Sequence, residues 1–417
     1  MVNLSLQESF SNLLKDMKNH YKIKYSLPID IIFGERKETL KSVIDTIAPF
    51  STGVFLCCQT TFEKEENTYR KMLNGKGVKL INYILEKGEK PTVENLSGLF
   101  ALPDTVRFIM YSDKRLSTFA SYFAHFRKIP LIFIPQSLDF SNAFNNVLTV
   151  INGDKLEKVR VKPLRTVIVD KDYIGETNMA GAFADLMSLL PTLTDYRINC
   201  NILSVKPDAY AYDHLKECLS TAYKILSTPK KDRAELLLRL SLKKALIGGN
   251  AVDAFTDVSS IYAVEMLYAL RGKYNPQARI QTVVDLISLY SVCFETGVVM
   301  QIPNLNERAE YLAENTGISV KHYISNLIYQ QAVLSGKGER IEKLKEFLKK
   351  EFPTSAKTGE TVYKAYLSLG GEKTDSETFN EIFYTVLRAG DFERKINVMT
   401  IVRESGLTEK YLNDDQF

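Results

Sequence analysis

Short apolar runs alternate with helical segments over the first 135 residues of the chain. Residues 29–33, 53–58, 78–84, 106–111 and 131–134 form five apolar runs, and helical periodicity falls between them at 37–47, 93–100 and 112–126. Strands that are apolar on both faces and alternate with helices are typical of a parallel sheet covered on both sides. The pattern therefore predicts a Rossmann-like α/β domain.

A different strand pattern follows this region. Residues 147–151 and 158–161 flank Asn152-Gly153-Asp154, a sequence that favours the tight turn of a β-hairpin. Residues 167–169 predict one more short strand.

Long helical segments take over after residue 172. They are predicted at 178–190, 207–226, 232–247, 257–271, 278–296, 307–315, 320–335, 338–351, 359–369, 375–388 and 391–404. At 417 residues the chain exceeds what one core usually organises. We therefore predict an α/β domain over residues 1–165, an all-helical domain over 170–417, and a ligand cleft between them.

One helical segment carries an acidic residue among apolar ones. Phe183, Leu186, Met187 and Leu190 share a face before Pro191 interrupts the pattern, and Asp185 lies among them beside small residues. A buried carboxylate needs a partner, because an unpaired buried charge is costly. Two interpretations stay open: an aspartate favoured by the dipole near a helix N-terminus, or a carboxylate of an active site.

The same segment resembles a known family. Ala180-Gly181, Asp185 and Asp195-Tyr196-Arg197 are similar to the Ala-Gly…Asp…Asp-Trp-Arg segment of sn-glycerol-1-phosphate dehydrogenases, with Tyr196 in place of tryptophan. These enzymes belong to the dehydroquinate synthase and iron-containing alcohol dehydrogenase superfamily. The resemblance implies a dehydroquinate synthase-like fold, a nicotinamide cofactor NAD(P), and a divalent metal for which Asp185 is a ligand.

The chain departs from the family where the dinucleotide is expected to bind. Ser112, Asp113 and Lys114 stand at the positions of a Gly-Gly-Gly loop that lets backbone amides approach a pyrophosphate. Side chains here occupy the space of a phosphate, and Asp113 adds repulsion between like charges. Ser112 or Asp113 would instead cap the following helix. We therefore expect no tight binding of NAD(P).

The metal site that the resemblance implies is also incomplete. Val258, and Leu289 or Tyr290, stand where the family has its two histidine ligands, so Asp185 alone remains. Asp253, Asp257 and Glu295 are either extra oxygen ligands, which would favour Mg²⁺ or Ca²⁺, or solvated carboxylates. The family's substrate-loop aspartate corresponds to Ser141, with Asp139 two residues away. The candidate residues for the cleft are Asp139, Ser141, Asp195, Asp253 and Asp257.

Composition excludes some classes of partner. The 54 basic and 50 acidic residues are interspersed, so no basic stripe for nucleic acid is present. There is no run of about 18 apolar residues, which predicts a cytoplasmic protein without a membrane partner. The five cysteines form no Cys-x-x-Cys pair, which favours reduced structural thiols.

Two functional hypotheses follow. The first is a divergent polyol-phosphate dehydrogenase-like protein that keeps the cleft, has lost metal-dependent hydride transfer, and binds a small ligand, with or without a phosphate group, or a protein partner. The alternative is an active NAD(P)-dependent oxidoreductase for glycerol phosphate or a related alcohol or ketone. The oligomeric state stays open.

Overall fold

The computed structural model describes residues 2–21, 29–86, 88–138, 140, 143–174, 178–250, 259–271, 277–295, 304–351 and 356–404. The chain divides into two compact units, Met1–Asn178 and Met179–Phe417. No helix in these described stretches is both long enough and apolar enough to cross a membrane.

The first unit alternates strands and helices. Its strands are β1 Ile29–Phe33, β2 Thr52–Cys58, β3 Lys79–Leu85, β4 Val106–Tyr111, β5 Leu131–Phe133, β6 Val147–Asn152, β7 Lys155–Arg160 and β8 Arg165–Val169. Its helices are α1 Val2–Tyr21, α2 Arg36–Ile47, α3 Gln59–Asn74, α4 Val93–Gly98, α5 Ser117–Arg127 and α6 Lys171–Ile174.

Six strands form one parallel sheet in the order β1-β8-β5-β4-β2-β3. The apolar run of β2 is explained by its place inside this sheet, where Val54, Phe55 and Leu56 are fully buried. The chain leaves β2 outward to β3 and then returns to β4, so the order reverses between β2 and β4. In open parallel sheets, ligands bind outside the carboxyl ends of strands at such a reversal.

The predicted hairpin is confirmed with slightly longer strands. β6 and β7 pair antiparallel, from Val147 opposite Arg160 to Asn152 opposite Lys155. Gly153 occupies the left-handed region at φ 57°, which glycine adopts without steric cost.

The second unit is helical throughout its described residues. Its helices are α7 Met179–Met187, α8 Leu189–Leu203, α9 Ala209–Ala222, α10 Lys230–Asn250, α11 Ser260–Leu270, α12 Ala278–Glu295, α13 Leu305–Thr316, α14 Val320–Leu334, α15 Gly338–Glu351, α16 Ala356–Ser368, α17 Ser376–Arg388 and α18 Val398–Glu404. The fold class predicted from the sequence is therefore confirmed: a parallel α/β sheet followed by helices.

Helix α8 differs from the pattern predicted by the sequence. The sequence predicts an interruption of the helical pattern at Pro191; the structure has the interruption slightly earlier, between Met187 and Leu189, and Pro191 is the third residue of α8. In the first turn of a helix the backbone N–H has no partner within the helix, so proline is tolerated there. The helix therefore continues to Leu203 and brings Asp195 inside it.

Four charged side chains are buried together in the second unit. Arg308 on α13 donates to Asp391 Oδ1 at 2.6 Å and to Glu404 Oε1 at 2.8 Å, and Arg403 Nη2 lies 3.1 Å from Asp391 Oδ2. Burial alone would raise the pKa of Asp391, but the charges of Arg403 and Arg308 lower it below its usual range. Two positive and two negative charges thus compensate one another.

Candidate functional site

Asp185 is buried near the end of α7. It is the seventh of nine residues in the helix and only 2% exposed. The interpretation of an aspartate near a helix N-terminus is therefore wrong, because the dipole at this end disfavours negative charge. Another source of positive charge is required.

Two basic side chains supply that charge. Asp185 Oδ1 lies 2.6 Å from Lys244 Nζ on α10 and 2.7 Å from Arg279 Nη1 on α12. Arg279 also pairs with Glu265 on α11. Two carboxylates and two cations therefore form one cluster with no net formal charge.

Lys244 is held at the end of α7 by further hydrogen bonds. Its ammonium donates to the Asp185 carbonyl oxygen at 2.6 Å and to Ser188 Oγ at 3.1 Å. A cation at this end of a helix is stabilised by the dipole. The Lys244 ammonium group is thus positioned by the backbone carbonyl of Asp185 as well as by its carboxylate.

The second carboxylate oxygen of Asp185 differs from the first in its hydrogen bonding. Asp185 Oδ2 is buried and has no hydrogen-bond partner within the part of the chain that the structure describes. Charge compensation of Asp185 is therefore concentrated on Oδ1.

Asp195 lies in the core and does not line an open surface, contrary to the expectation from sequence. It is fully buried and accepts hydrogen bonds from Ser260 N at 2.8 Å, Val398 N at 2.9 Å and Tyr290 Oη at 2.9 Å. Burial raises its pKa to about 6, although these hydrogen bonds act in the opposite direction. Because the donors belong to α11, α12 and α18, Asp195 joins three helices to α8.

The carboxyl end of β4 carries the other predicted residues. Asp113 caps the turn at Lys114–Leu116 by accepting from Arg115 N at 2.9 Å, as one of the two capping predictions proposed. The Arg115 guanidinium also binds this carboxylate, with Nε 2.8 Å from Oδ2. The Ser112 hydroxyl is buried and accepts from Gln136 Nε2 at 3.1 Å. Asp113 and Ser112 are therefore engaged with neighbouring side chains.

Cys58 lies next to this turn, at the carboxyl end of β2. Its Sγ is 3.9 Å from Asp113 Oδ2 and lies 3.2 and 3.3 Å from the hydroxyl oxygens of Thr60 and Thr61. Burial raises the pKa of this thiol, but hydrogen bonds with the side chains of Thr60 and Thr61 and with the backbone of Thr61 outweigh burial and lower the pKa. The ends of β2 and β4 thus meet where the strand order reverses.

The fold is similar to that of solved alcohol dehydrogenase structures. An iron-containing alcohol dehydrogenase from Thermococcus thioreducens is 13% identical, with a TM-score of 0.51 over 94% of this chain and 100% of that chain. An iron-containing alcohol dehydrogenase from Thermotoga maritima is 11% identical, with a TM-score of 0.50 over 92% and 99%. The chain has the iron-containing alcohol dehydrogenase fold. No protein-family model and no curated protein sequence matches it.

Several positions that the resemblance assigned in this fold lie outside the described residues: Asp139, Ser141, Asp253, Asp257, Val258 and the side chain of Glu295. Leu289 and Tyr290 are described and buried, and Tyr290 binds Asp195. No three His, Cys, Asp or Glu side chains in the described ranges are placed to hold a metal ion.

A divalent ion does not fit the described surroundings of Asp185. Lys244 and Arg279 already place two positive charges on its Oδ1. Two unit charges about 4 Å apart repel by about 4 kcal/mol at an effective dielectric constant of 20, and a divalent ion doubles this against each cation. The described residues therefore favour a protein-only charge cluster.

The family's mode of dinucleotide binding does not fit the end of β4 either. Glycines in this fold class allow the pyrophosphate to approach the backbone, whereas Ser112 and Asp113 are buried there with their side chains hydrogen-bonded. Lys114 follows in the turn.

Sequence reasoning missed another buried acid, Asp285 on α12. Its Oδ1 accepts from Gln281 Nε2 at 2.7 Å, while its Oδ2 is buried without a partner among the described side chains. Burial raises the pKa of Asp285 to about 7. The available signal was an acidic residue between the apolar positions Val284 and Leu286 of a helix.

We expect Asp285→Asn to stabilise the protein at pH 8. An unfolded aspartate titrates near pH 4 and Asp285 near 7, so the stability from its protonated form is present below pH 4 and lost as pH rises through 7. The amide avoids a buried charge, which gives about 2 to 4 kcal/mol at pH 8. Urea unfolding at pH 5 and pH 8 measures the difference between variant and wild type. An equal difference at both values would contradict the assignment.

Proposed function

We propose that the chain is a divergent polyol-phosphate dehydrogenase-like protein that does not perform metal-dependent hydride transfer and instead binds a small, phosphorylated ligand. The relationship to sn-glycerol-1-phosphate dehydrogenases that we propose is supported by the Ala180-Gly181, Asp185 and Asp195-Tyr196-Arg197 segment. Asp185 then acts as the anion of an internal ion-pair cluster.

The observation that carries the proposal is the pair of cations on Asp185 Oδ1. A Lewis-acid mechanism needs a metal ion with an open coordination position and several protein ligands. Lys244 and Arg279 supply the positive charge that Asp185 requires, but an ammonium and a guanidinium group have no coordination position to offer a substrate. The side chains of Ser112 and Asp113 support the same conclusion independently for the dinucleotide.

The metal content of the purified protein tests the proposal. We expect well under one equivalent of zinc or iron by elemental analysis, and a chelator should leave the melting temperature unchanged. A metal that binds only the folded state raises the melting temperature by mass action, so its removal would lower it. Stoichiometric zinc or iron that disappears in Asp185→Ala would restore the alternative, an active NAD(P)-dependent oxidoreductase.

Calorimetric titration with NAD⁺ and NADP⁺ provides the second measurement of this test. We expect no micromolar binding by the wild type, because the buried side chains of Ser112 and Asp113 stand where the family has glycines. The combined variant Ser112→Gly, Asp113→Gly and Lys114→Gly should bind more tightly if side-chain volume is the obstacle. Micromolar affinity of the wild type for either nucleotide would refute the proposal.

A further inference from the structure

A cavity of about 560 Å³ lies within the second unit, between α8 and α15. One wall is the C-terminal part of α8 with Arg197 and Asn201, together with Ser204, the residue directly after the helix. The facing wall is α15, where Arg340, Lys343 and Leu344 share one face. Its volume falls within the usual range for small-molecule sites, about 300 to 1,000 Å³.

The charge of this cavity is positive. Arg197, Arg340 and Lys343 line it, and none of its described lining residues is acidic. Like charges that converge on one concave space repel each other and attract a negatively charged ligand. The arrangement therefore favours an anion with more than one negative charge.

Two of the cations are held in place by the protein. Arg340 Nη1 donates to Ser204 Oγ at 2.6 Å and to the Asn201 carbonyl oxygen at 3.5 Å, at the C-terminal end of α8. The Arg197 guanidinium lies 5.3 Å from the centre of the Tyr212 ring, within the range of a cation–π interaction. Positioned charges lose less conformational entropy when a ligand binds.

The remaining lining is partly apolar. Val205 is 55% exposed, and it lines the cavity together with Pro207, Leu344 and the buried Cys200. These groups can contact a hydrocarbon or ring, but they give nothing to a free inorganic ion. The cavity therefore offers cationic and apolar surfaces to the same molecule.

We propose that this cavity binds a small organic phosphate, with the phosphate among Arg197, Arg340 and Lys343 and its apolar body against Val205 and Leu344. Guanidinium groups match phosphate oxygens through paired N–H donors, and a phosphomonoester carries the double charge that three cations favour. The residues that line this cavity include neither Asp185 nor any residue at the end of β4. The proposal deepens the proposed binding of a phosphorylated ligand, and its titration is separate from the metal and dinucleotide measurements.

Isothermal titration with phenyl phosphate tests the site, since this probe combines a dianionic phosphate with one apolar ring. We expect saturable binding of one molecule per chain. Arg340→Gln and Lys343→Gln should each weaken it about tenfold or more, because each removes a charge-assisted contact. Arg239→Gln is the matched control, since Arg239 is exposed on α10 and does not line the cavity.

Two further probes separate the roles of charge and apolar contact. Inorganic phosphate should bind more weakly than phenyl phosphate, and benzyl alcohol, which has no charge, should not bind. Val205→Asp should weaken phenyl phosphate through repulsion, and its circular dichroism spectrum should match that of the wild type. Equal affinity in Arg340→Gln and Arg239→Gln, absence of saturable binding, or tight binding of benzyl alcohol would each overturn the proposal.

Discussion

Replacing Asp391 with asparagine should lower the free energy of unfolding by about 3 to 5 kcal/mol. The carboxylate accepts from the buried guanidinium groups of Arg308 and Arg403. Asparagine keeps the shape of the side chain but removes the negative charge, so two buried cations would face one remaining carboxylate, Glu404. Urea unfolding followed by circular dichroism at pH 7 measures the loss.

Asp213→Asn is the matched control, because Asp213 is exposed on α9. Its effect should stay within about 0.5 kcal/mol, as for most surface substitutions. If Asp391→Asn cost no more than this control, the buried cluster of Arg308, Asp391, Arg403 and Glu404 would not stabilise the fold.

Asp185→Asn should cost about 2 to 4 kcal/mol in the same measurement. The amide leaves Lys244 and Arg279 close together without the carboxylate between them, and Arg279 keeps only Glu265. Lys244 keeps its hydrogen bonds to the backbone of residue 185 and to Ser188, which limits the loss. The variant must be compared with the wild type in the presence of a chelator, so that no metal contributes.

A double-mutant cycle isolates this ion pair. Combining Asp185→Asn with Lys244→Met removes the cation that the single Asp185→Asn change leaves uncompensated. The loss of unfolding free energy in the double variant should therefore be smaller than the sum of the two single losses by about 1 to 3 kcal/mol. Additive losses would mean that Asp185 and Lys244 do not interact in the folded protein.

The parallel sheet could be predicted because its strands are buried on both faces. The run Gly-Val-Phe-Leu-Cys-Cys in β2 is too short for a typical helix and has no polar face, so it favours a strand inside a covered sheet. The capping role of Asp113 was also predictable, since it depends on residues next to it in sequence. These features follow from short-range patterns.

The partners of Asp185 could not be predicted in the same way. Lys244 and Arg279 are 59 and 94 residues distant, and many lysines and arginines lie on helices of this unit. Helical periodicity shows that Asp185 is on a buried face, and the cost of burying a charge shows that it needs a counter-charge. Neither argument identifies which lysine or arginine forms the ion pair. The burial of Arg308, in contrast, was predictable from the sequence. Arg308 precedes Ala309 and lies four residues before Leu312, which places it on the buried face of α13.

The hydrogen bonds of Asp195 have a consequence for how the chain is synthesised. Its donors Ser260, Tyr290 and Val398 follow it by 65, 95 and 203 residues. A ribosome makes the acceptor first and the last donor much later, and such long separations are slow to close by chain diffusion. The carboxylate must therefore stay hydrated while the intervening helices emerge. Any truncation between residues 195 and 398 leaves this buried acid short of at least one donor.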